Sequence, residues 1–277
     1  MPDHYRLAAS VIIPNWNGRR YLEACLSAVL VRSRVYGGFE VLLVDNGSSD
    51  GSVDYVRRHF PMVRVLALRA NRGFAAACNL GIREAAGLYP VLLSDGFGAA
   101  RGWLEPDLGQ FEAEAEVFGA PGNGVLLRRE ALTDVGLFDE TFFAYYEDAD
   151  LSWRMRLRGW QVIFEPHAVI EHVHAGTTRV GSPFFSFHVN RNRIFMLVKN
   201  GPAGFVLRAA LRPAWDAGGS RRSQVRVKLR VLGSLLRYLP EMLAKRRRIR
   251  LDKLVPDAEV LSFVYPRRLW DERFRGA

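Results

Sequence analysis

Short apolar segments alternate with amphipathic segments through the first 95 residues, and this alternation restricts the possible folds more than any other feature. Apolar residues recur at helical spacing over residues 21–31 and 74–86. A strand followed by a helix, repeated several times, favours a mostly parallel sheet with helices on both faces. The chain is therefore predicted to have an α/β fold. The predicted strands are residues 8–13, 39–44, 64–68 and 89–93.

Polar residues follow each of these predicted strands. In parallel sheets, ligands bind at the carboxyl ends of the strands. Ordinary turn and capping chemistry explains any one such loop, but four in succession favour a binding site. Neither GxxxxGK[ST] nor GxGxxG is present, so no motif supports an NTPase or an ordinary dinucleotide-binding fold. The polar loops are residues 14–18, 45–51, 71–73 and 94–96.

The positive charge is concentrated at the end of the chain. Residues 201–277 carry 18 Lys and Arg against 7 Asp and Glu, a net of +11, whereas residues 1–200 carry 21 against 22, a net of −1. We therefore predict an α/β domain over residues 1–200 and a basic amphipathic helical region over residues 201–277, with helices at 204–215 and 225–243.

Basic amphipathic helices of this kind suit an anionic membrane surface, which we expect residues 201–250 to contact. A solvated helical face is the alternative. A basic scaffold that binds nucleic acid is a further alternative, but nucleic acid is an unlikely partner because the region has no recognised motif and few aromatic residues for base stacking.

The cellular location follows from what the sequence contains. The two cysteines, Cys25 and Cys78, form no CxxC pair, which favours a reducing compartment. No basic segment followed by a long apolar stretch is present at the N-terminus, and no apolar run reaches eighteen residues. We predict a cytoplasmic protein that lies peripherally on the inner face of the cell membrane.

The residue pattern that most strongly suggests catalysis is an acidic cluster. Glu147, Asp148 and Asp150 lie within four positions at the start of a predicted helix, and His172 and His174 follow about twenty residues later. Such a group can supply a general base and a metal ligand to one cleft, which favours an enzyme. The alternative is that the acids only favour the positive end of the helix, which contributes about 0.3–1 kcal/mol.

Five motifs occur in one order over roughly residues 8–200. They are VIIPNWNG at 11–18, VDNGSSDGS at 44–52, NRGFAAACNLGIR at 71–83, LRREAL at 127–132 with VGLFD at 135–139, and FAYYEDAD at 143–150. Together they resemble the inverting family 2 glycosyltransferases, and within that family the bacterial rhamnosyltransferase-like members. The resemblance implies the GT-A fold, here with a basic helical C-terminal appendage.

The resemblance also implies a nucleotide-sugar site. Asp45 would accept a hydrogen bond from an N–H of a pyrimidine base, because an ionised carboxylate is only an acceptor. The donor would carry dTDP or UDP, with a basic side chain and a close backbone approach near the diphosphate. The residues implied are Pro14, Asn17, Asp45, Asn46, Arg72, Gly73 and Asn79.

The catalytic residues implied by the resemblance are Asp148 and, beside it, Glu147. Asp148 would be the base that deprotonates a hydroxyl of a glycan or lipid-linked glycan, so that one displacement transfers a sugar such as rhamnose with inversion. The expected pathway is cell-surface polysaccharide synthesis. Asp95 and His172 would hold a divalent metal, Mn²⁺ or Mg²⁺, with His172 preferred to His174.

The chain departs from the family pattern around the metal motif. Family members present Asp-x-Asp after the fourth strand, whereas residues 94–96 read Ser-Asp-Gly here, and the segment 94–125 is shortened. Loss of one anionic ligand weakens the hold on a hard cation. The alternative prediction is therefore a catalytically impaired module that binds a nucleotide-sugar or glycan without a complete metal motif.

Overall fold

The computed structural model describes residues 7–36, 38–93, 113–169, 181–204 and 221–264. The chain forms two compact units that interleave along the sequence. The first comprises Met1–Glu112, Pro121–Glu147 and Pro166–Val180, and the second comprises Ala113–Ala120, Asp148–Glu165 and Gly181–Ala277. The boundary expected at residue 200 was drawn from composition, and it stays a prediction.

The strands and helices predicted in the first 95 residues are confirmed, with ends that differ by a few residues. The predicted helix at 225–243 is longer, while residues 205–215 lie outside the described ranges. The strands are β1 (Leu7–Asn15), β2 (Phe39–Asp45), β3 (Arg64–Ala67), β4 (Gly87–Leu93), β5 (Ala115–Glu116), β6 (Gly124–Leu126) and β7 (Ile163–Phe164). The helices are α1 (Arg19–Tyr36), α2 (Ser52–His59), α3 (Phe74–Glu84), α4 (Arg129–Val135), a short 3₁₀ helix (Glu140–Phe142), α5 (Glu147–Leu157), α6 (Pro183–Asn200), α7 (Arg221–Leu251) and α8 (Asp257–Val264).

The first unit is built on a five-stranded sheet with the order β3-β2-β1-β4-β6. The first four strands are parallel, and β6 pairs antiparallel with β4. The chain adds β2 and β3 on one side of β1 and then crosses to β4 on the other side. Such a reversal of strand order places a ligand crevice at the carboxyl ends of the strands, where Asn15 of β1 lies beside Asp45 of β2.

The inner strands of this sheet are buried on both faces, which explains why they read as continuous apolar runs. Ile12, Leu42 and Val44 are buried on one face, and α3 packs against β1 and β2. Each fully buried aliphatic side chain stabilises the fold by about 1.5–3 kcal/mol. The cluster on the face that α1 covers includes Val11, Ile13, Leu22, Cys25, Leu26, Val41 and Leu43.

The second unit is organised around α5. Trp153 is buried and meets the ring of Phe118 edge-on, with the centroids 5.7 Å apart. Arg156 is also buried, where its guanidinium pairs with Glu116 and lies 4.1 Å from the centroid of the Phe263 ring. These contacts attach α5 to the β5–β7 pair and to α8.

Helices α6 and α7 pack together in the second unit. Arg246 of α7 donates to the carbonyl oxygens of Val198 and Gly201 at 2.7 and 2.6 Å, which satisfies acceptors that the end of α6 leaves without helical partners. Arg250 forms two hydrogen bonds with Asp257 at the start of α8. Within the described residues, no helix has the length and apolar character needed to cross a membrane.

Candidate functional site

Asp45 is a buried carboxylate at the end of β2, only 2% exposed. Its Oδ1 accepts from the Ser48 N–H at 3.0 Å, and its Oδ2 accepts from Nδ2 of Asn15 at 2.8 Å. A carboxylate has about four acceptor positions, so Asp45 keeps the capacity to accept a bond from a ligand. Asn15 was missed from the sequence, although its place beside Asp45 follows from the parallel register.

Asn17 joins the loops that follow β1 and β2. Its backbone has a φ of 54°, a left-handed conformation that Asn tolerates better than most residues. Its Oδ1 accepts from the Ser49 N–H at 2.8 Å, and its own N–H donates to Oγ of Ser48 at 2.8 Å. Pro14 is buried in β1 opposite Val44. The structure therefore brings Pro14, Asn17 and Asp45 to one edge of the sheet.

Asn46 shapes the loop that follows β3. Its Nδ2 donates to Oδ1 of Asn71 and to the carbonyl oxygen of Gly73, both at 3.0 Å, and its Oδ1 accepts from the Arg72 N–H at 2.9 Å. The two hydrogens of its amide are thus engaged within the protein. Asn46 fixes the position of Arg72 and Gly73, and direct contact between its side chain and a nucleotide stays a prediction.

Arg72 and Gly73 have different properties at the start of α3. The Arg72 side chain is 64% exposed and lies 3.7 Å from a carboxylate oxygen of Glu140. Gly73 has a φ of 91°, and a Cβ there would lie 2.5 Å from the carbonyl oxygen of Phe143. Only glycine fits this position, because both the backbone conformation and the close approach exclude a side chain.

Asn79 is buried in α3 and holds a neighbouring segment. It exchanges two hydrogen bonds with the backbone of Phe138, at 2.8 and 3.0 Å, and its Nδ2 also donates to Oε1 of Glu140 at 3.0 Å. These bonds support a role for Asn79 in positioning the segment that contains Phe138 and Glu140. The contact with the donor expected for this residue stays a prediction.

A strained segment precedes the acidic cluster. Phe143, Tyr145 and Tyr146 have φ values of 66°, 70° and 68°. Each such conformation costs a non-glycine residue about 1–3 kcal/mol and persists where the surroundings impose it, most often at functional sites. No signal in the sequence indicates it, because aromatic residues rarely adopt positive φ.

The three carboxylates of the acidic cluster differ in accessibility. Glu147 is buried, Asp150 is fully buried, and Asp148 is half-buried. The Asp148 Oδ1 accepts from the Ala149 N–H at 2.7 Å in the first turn of α5, where the helix dipole favours a negative charge. Asp148 is thus the carboxylate of the three that is most open to an outside proton donor.

Asp150 is the centre of a buried ionic cluster. Lys199 Nζ lies 2.9 Å from its Oδ1, Arg154 Nε donates to its Oδ2 at 3.0 Å, and Asn200 Nδ2 donates to its Oδ1 at 2.8 Å. The cluster attaches α5, which carries Asp148, to the end of α6. Lys199 was not predicted, although helical spacing places it on the same face of α6 as the buried residues Asn192 and Phe195.

The metal ligands expected at Asp95 and His172 lie outside the described residues. Across the parts of the chain that the structure describes, no three His, Cys, Asp or Glu side chains are grouped so as to hold a metal ion. The metal site therefore stays a prediction, and none of the bonds above depends on it.

Two family models match the chain over overlapping ranges. Residues 10–132 match the model described as "Glycosyl transferase family 2", and residues 108–193 match "Glycosyltransferase like family 2". The chain belongs to the family 2 glycosyltransferases. Together the two matches span the strand-end loops, the strained segment and α5 of this glycosyltransferase.

Two relatives from Mycobacterium tuberculosis illustrate the range of similarity. The glycosyltransferase is 27% identical to an N-acetylglucosaminyl-diphospho-decaprenol L-rhamnosyltransferase over 281 residues, covering 76% of this chain and 87% of the relative. It is 29% identical to a pre-mycofactocin glycosyltransferase over 208 residues, covering 60% of this chain and 42% of that protein. The family and the sugar-transfer activity predicted from the sequence are confirmed.

Solved structures show the same fold at low sequence identity. Staphylococcus aureus TarS 1–349 in complex with UDP gives a TM-score of 0.58 at 17% identity, covering 98% of this chain and 92% of the other. The mannosyltransferase PcManGT from Pyrobaculum calidifontis, in complex with GDP-Man and Mn²⁺, gives 0.53 at 20% identity, covering 97% and 84%. The predicted GT-A fold is confirmed.

Proposed function

We propose that this glycosyltransferase moves a sugar of the rhamnose type from dTDP or UDP to a hydroxyl of a glycan or lipid-linked glycan. The reaction would serve cell-surface polysaccharide synthesis. The observation that carries the proposal is the 27% identity to the N-acetylglucosaminyl-diphospho-decaprenol L-rhamnosyltransferase over most of both chains. An acceptor that carries a diphosphate and a polyprenol is therefore the first to test.

The donor would be held by the loops at the carboxyl ends of β1, β2 and β3. Asp45 accepts the N–H of the pyrimidine ring, and its hydrogen bonds from Asn15 and Ser48 support this role because they fix the carboxylate before the ligand arrives. Arg72 supplies positive charge to the diphosphate. Its exposure supports this role, because the guanidinium can exchange its surface ion pair with Glu140 for a bound anion.

Asp148 would act as the general base, with Glu147 beside it. The carboxylate takes the proton of the acceptor hydroxyl while that oxygen forms a bond to the anomeric carbon. The bond from this carbon to the diphosphate breaks on the opposite face, so the anomeric configuration inverts. The half-buried position of Asp148 at the start of α5 supports this assignment.

A divalent cation, Mn²⁺ or Mg²⁺, is proposed with Asp95 and His172 as its protein ligands. When bound, such an ion neutralises charge on a departing diphosphate. The presence of Mn²⁺ in the PcManGT complex supports metal use in this fold. The roles proposed above for Asp45, Arg72 and Asp148 do not depend on this ion.

The enzyme would work at the cytoplasmic face of an anionic membrane, which residues 201–250 contact. The charge of the chain supports this location, since residues 201–277 carry a net of +11. Each Lys or Arg near such a surface contributes about 1 kcal/mol of attraction. A lipid-linked acceptor would then be presented at the same surface.

A transfer assay with dTDP-rhamnose and with UDP-sugars, on an N-acetylglucosaminyl-diphospho-polyprenol acceptor, tests the proposal. The Asp148→Asn variant should lose roughly 10²–10⁴-fold in kcat while it still binds dTDP, because only proton transfer is removed. Asp252→Asn, at an exposed carboxylate, is the matched control and should retain activity. The anomeric configuration of the product, measured by NMR, tests inversion.

Three other outcomes would change the proposal. Full activity of Asp148→Asn would remove Asp148 from the role of base. Activity that persists in EDTA would remove the metal. Binding of dTDP or UDP without transfer to any acceptor would support the alternative of a nucleotide-sugar-binding module.

A further inference from the structure

Helix α7 exposes a row of apolar side chains between residues 225 and 243. They recur every three or four residues, so they share one face of the helix. Leu229 is 63% exposed and Leu236 is 67% exposed. Single exposed leucines are ordinary, but a continuous apolar row on a helix marks a surface that meets another phase or partner. This leucine stripe consists of Val225, Leu229, Leu232, Leu236, Leu239 and Leu243.

The stripe is not the face that holds α7 in the protein. Val227, Val231 and Met242 are buried and lie on a different side of the helix. Tyr238 meets the ring of Phe195 of α6, with the centroids 5.9 Å apart. Helix α7 therefore has one apolar face that packs against α6 and a second one that faces outward.

Basic side chains flank the leucine stripe. Arg226 and Arg237 lie on one side of it, at about 100–120° around the helix from its centre, and Lys228 lies on the other side at about 60°. Residues 221–251 contain 11 Lys and Arg and one acidic residue, Glu241. The outward face of α7 is thus an apolar band between two basic margins.

The charge of these margins distinguishes between two possible partners. A second copy of α7 against the stripe would bring Arg226 and Lys228 close to the same basic residues of its partner, and like charges at such positions oppose pairing. An anionic bilayer offers hydrocarbon to the leucines and negative headgroups to the basic margins. The charge complementarity favours the bilayer.

We propose that the leucine stripe inserts into the headgroup and acyl boundary of an anionic membrane, so that α7 lies in the plane of the surface. This inference rests on the proposed membrane location and identifies the residues that produce it. Insertion adds an apolar contribution to the electrostatic one. Binding should therefore fall with salt without disappearing, because screening acts only on the charges.

Vesicle flotation of the full chain tests the stripe. Wild-type protein should bind phosphatidylglycerol–phosphatidylcholine vesicles and bind pure phosphatidylcholine weakly. Leu229→Ser with Leu236→Ser should reduce binding to the anionic vesicles roughly tenfold or more, since two inserted side chains are lost. Leu254→Ser with Met62→Ser is the matched control, because both residues are exposed apolar side chains away from the stripe. Arg226→Gln with Arg237→Gln should reduce binding at low salt and have little effect at high salt.

A fluorescent probe reports insertion directly. Cys25 and Cys78 are buried, so a bimane dye reacts mainly at a cysteine introduced by Leu236→Cys or, as the control, by Leu254→Cys. Emission should shift to shorter wavelength on anionic vesicles for the dye at position 236 only. Equal spectra at the two positions, or unchanged binding of the Leu229→Ser, Leu236→Ser variant, would overturn the inference.

Two measurements separate this inference from the proposed enzymatic function. Transfer to a water-soluble acceptor in vesicle-free buffer should be the same for wild type and the stripe variant, so loss of vesicle binding with normal transfer supports the stripe. Light scattering tests the second copy as a partner. A wild-type dimer that the stripe substitutions convert to a monomer, with vesicle binding unchanged, would assign the stripe to self-association instead.

Discussion

The two units hold their candidate site residues by different kinds of interaction. In the first unit, Asp45 and the loop at residues 71–73 are positioned by neutral amides and backbone groups, above all Asn15 and Asn46. In the second unit, the helix that carries Asp148 is attached to α6 through the buried charges of Asp150 and Lys199. Loss of a single neutral hydrogen bond lowers the stability modestly, whereas removal of one partner from a buried ion pair is strongly destabilising.

The largest effect is therefore expected in the second unit. Lys199→Met removes the cation that lies 2.9 Å from Asp150, where both side chains are at most 2% exposed. The free energy of unfolding should fall by about 3 kcal/mol, at the low end of the cost of breaking a buried ion pair, because Asp150 loses one of its two cations and keeps Arg154. Urea unfolding followed by circular dichroism measures this change, and hydrogen exchange should show the loss of protection in α5 and α6.

Lys245→Met is the matched control for this substitution. Lys245 pairs with Glu241 one turn away on the surface of α7, and such a pair contributes about 0.3–0.5 kcal/mol. The double variant Asp150→Asn, Lys199→Met should lose more than Lys199→Met alone, because the buried Arg154 then loses the carboxylate that it donates to. Equal small effects at positions 199 and 245 would mean that water screens the cluster, and the contrast between the units would fail.

The same contrast explains what was predictable from the sequence. The strands of the first unit were located because buried parallel strands read as apolar runs. Asp45 lies in the polar loop that ends such a run, and its nucleotide-binding role was implied by the resemblance to the family. The link between Asp150 and Lys199 spans 49 positions and joins two helices. Helical spacing alone places Lys199 on the buried face of α6, but it does not identify the partner.

Backbone conformation marks another limit of the sequence. Gly73 was expected to bring the backbone close to a diphosphate, which stays a prediction, and the structure shows that the carbonyl of Phe143 also lies close to it. Nothing in the sequence indicated the positive φ values of Phe143, Tyr145 and Tyr146, because glycine is the residue that usually occupies this conformation. The exposed leucines of α7 were visible as an amphipathic pattern, but their separation from the buried face required the structure.

The next largest effect is expected at Gly73 in the first unit. Gly73→Ala places a Cβ 2.5 Å from the carbonyl oxygen of Phe143, so the strained segment or the start of α3 must shift. Unfolding free energy should fall by about 1–3 kcal/mol. Gly51→Ala is the control, because Gly51 has a similar φ of 78° but no atom within 4 Å of the place that a Cβ would take. Gly51→Ala should lower the unfolding free energy less than Gly73→Ala does. Equal losses would show that the close contact with Phe143 contributes nothing.

A smaller effect on stability, with a larger one on binding, is expected at Asn15. Asn15→Ala removes the hydrogen bonds of this side chain to Asp45 and Ser48, and should lower the free energy of unfolding by about 1 kcal/mol, at the low end of the cost of unpairing a buried acceptor. The loss is small because Oδ1 of Asn15 has no hydrogen-bond partner among the described residues although it is buried. Calorimetric affinity for dTDP or UDP should fall roughly tenfold, because Asp45 loses its orientation. Unchanged affinity would show that Ser48 alone is sufficient to orient Asp45.

The smallest expected effect is the loss of stability in acid that comes from one carboxylate in each unit, Asp50 in the first and Asp257 in the second. Burial raises the pKa of Asp50, but hydrogen bonds from the Ser52 hydroxyl and from the backbone N–H groups of Arg19 and Ser52 outweigh it, so the pKa lies below its ordinary 3.8. Burial likewise raises the pKa of Asp257, and hydrogen bonds from Arg250 and Lys253 bring it below 3.8. In both cases the stabilisation is present above the unfolded pKa and is lost as the pH falls through the lowered folded value.

Salt should distinguish these two carboxylates, because the partners of Asp257 are cations and those of Asp50 are neutral. We expect Asp257→Asn to cost about 0.2–1 kcal/mol at pH 6 in low salt and less in 1 M NaCl, where the Debye length is about 3 Å. The cost of Asp50→Asn should change little with salt, since neutral donors do not attract counterions. Urea unfolding of wild type and of each variant, at pH 6 and at pH 3, measures the cost of each substitution at each pH. At pH 3 both costs should shrink, because the wild-type carboxylates begin to protonate. A salt-dependent cost at Asp50, or a salt-independent one at Asp257, would show that the units do not differ in how their charges are held.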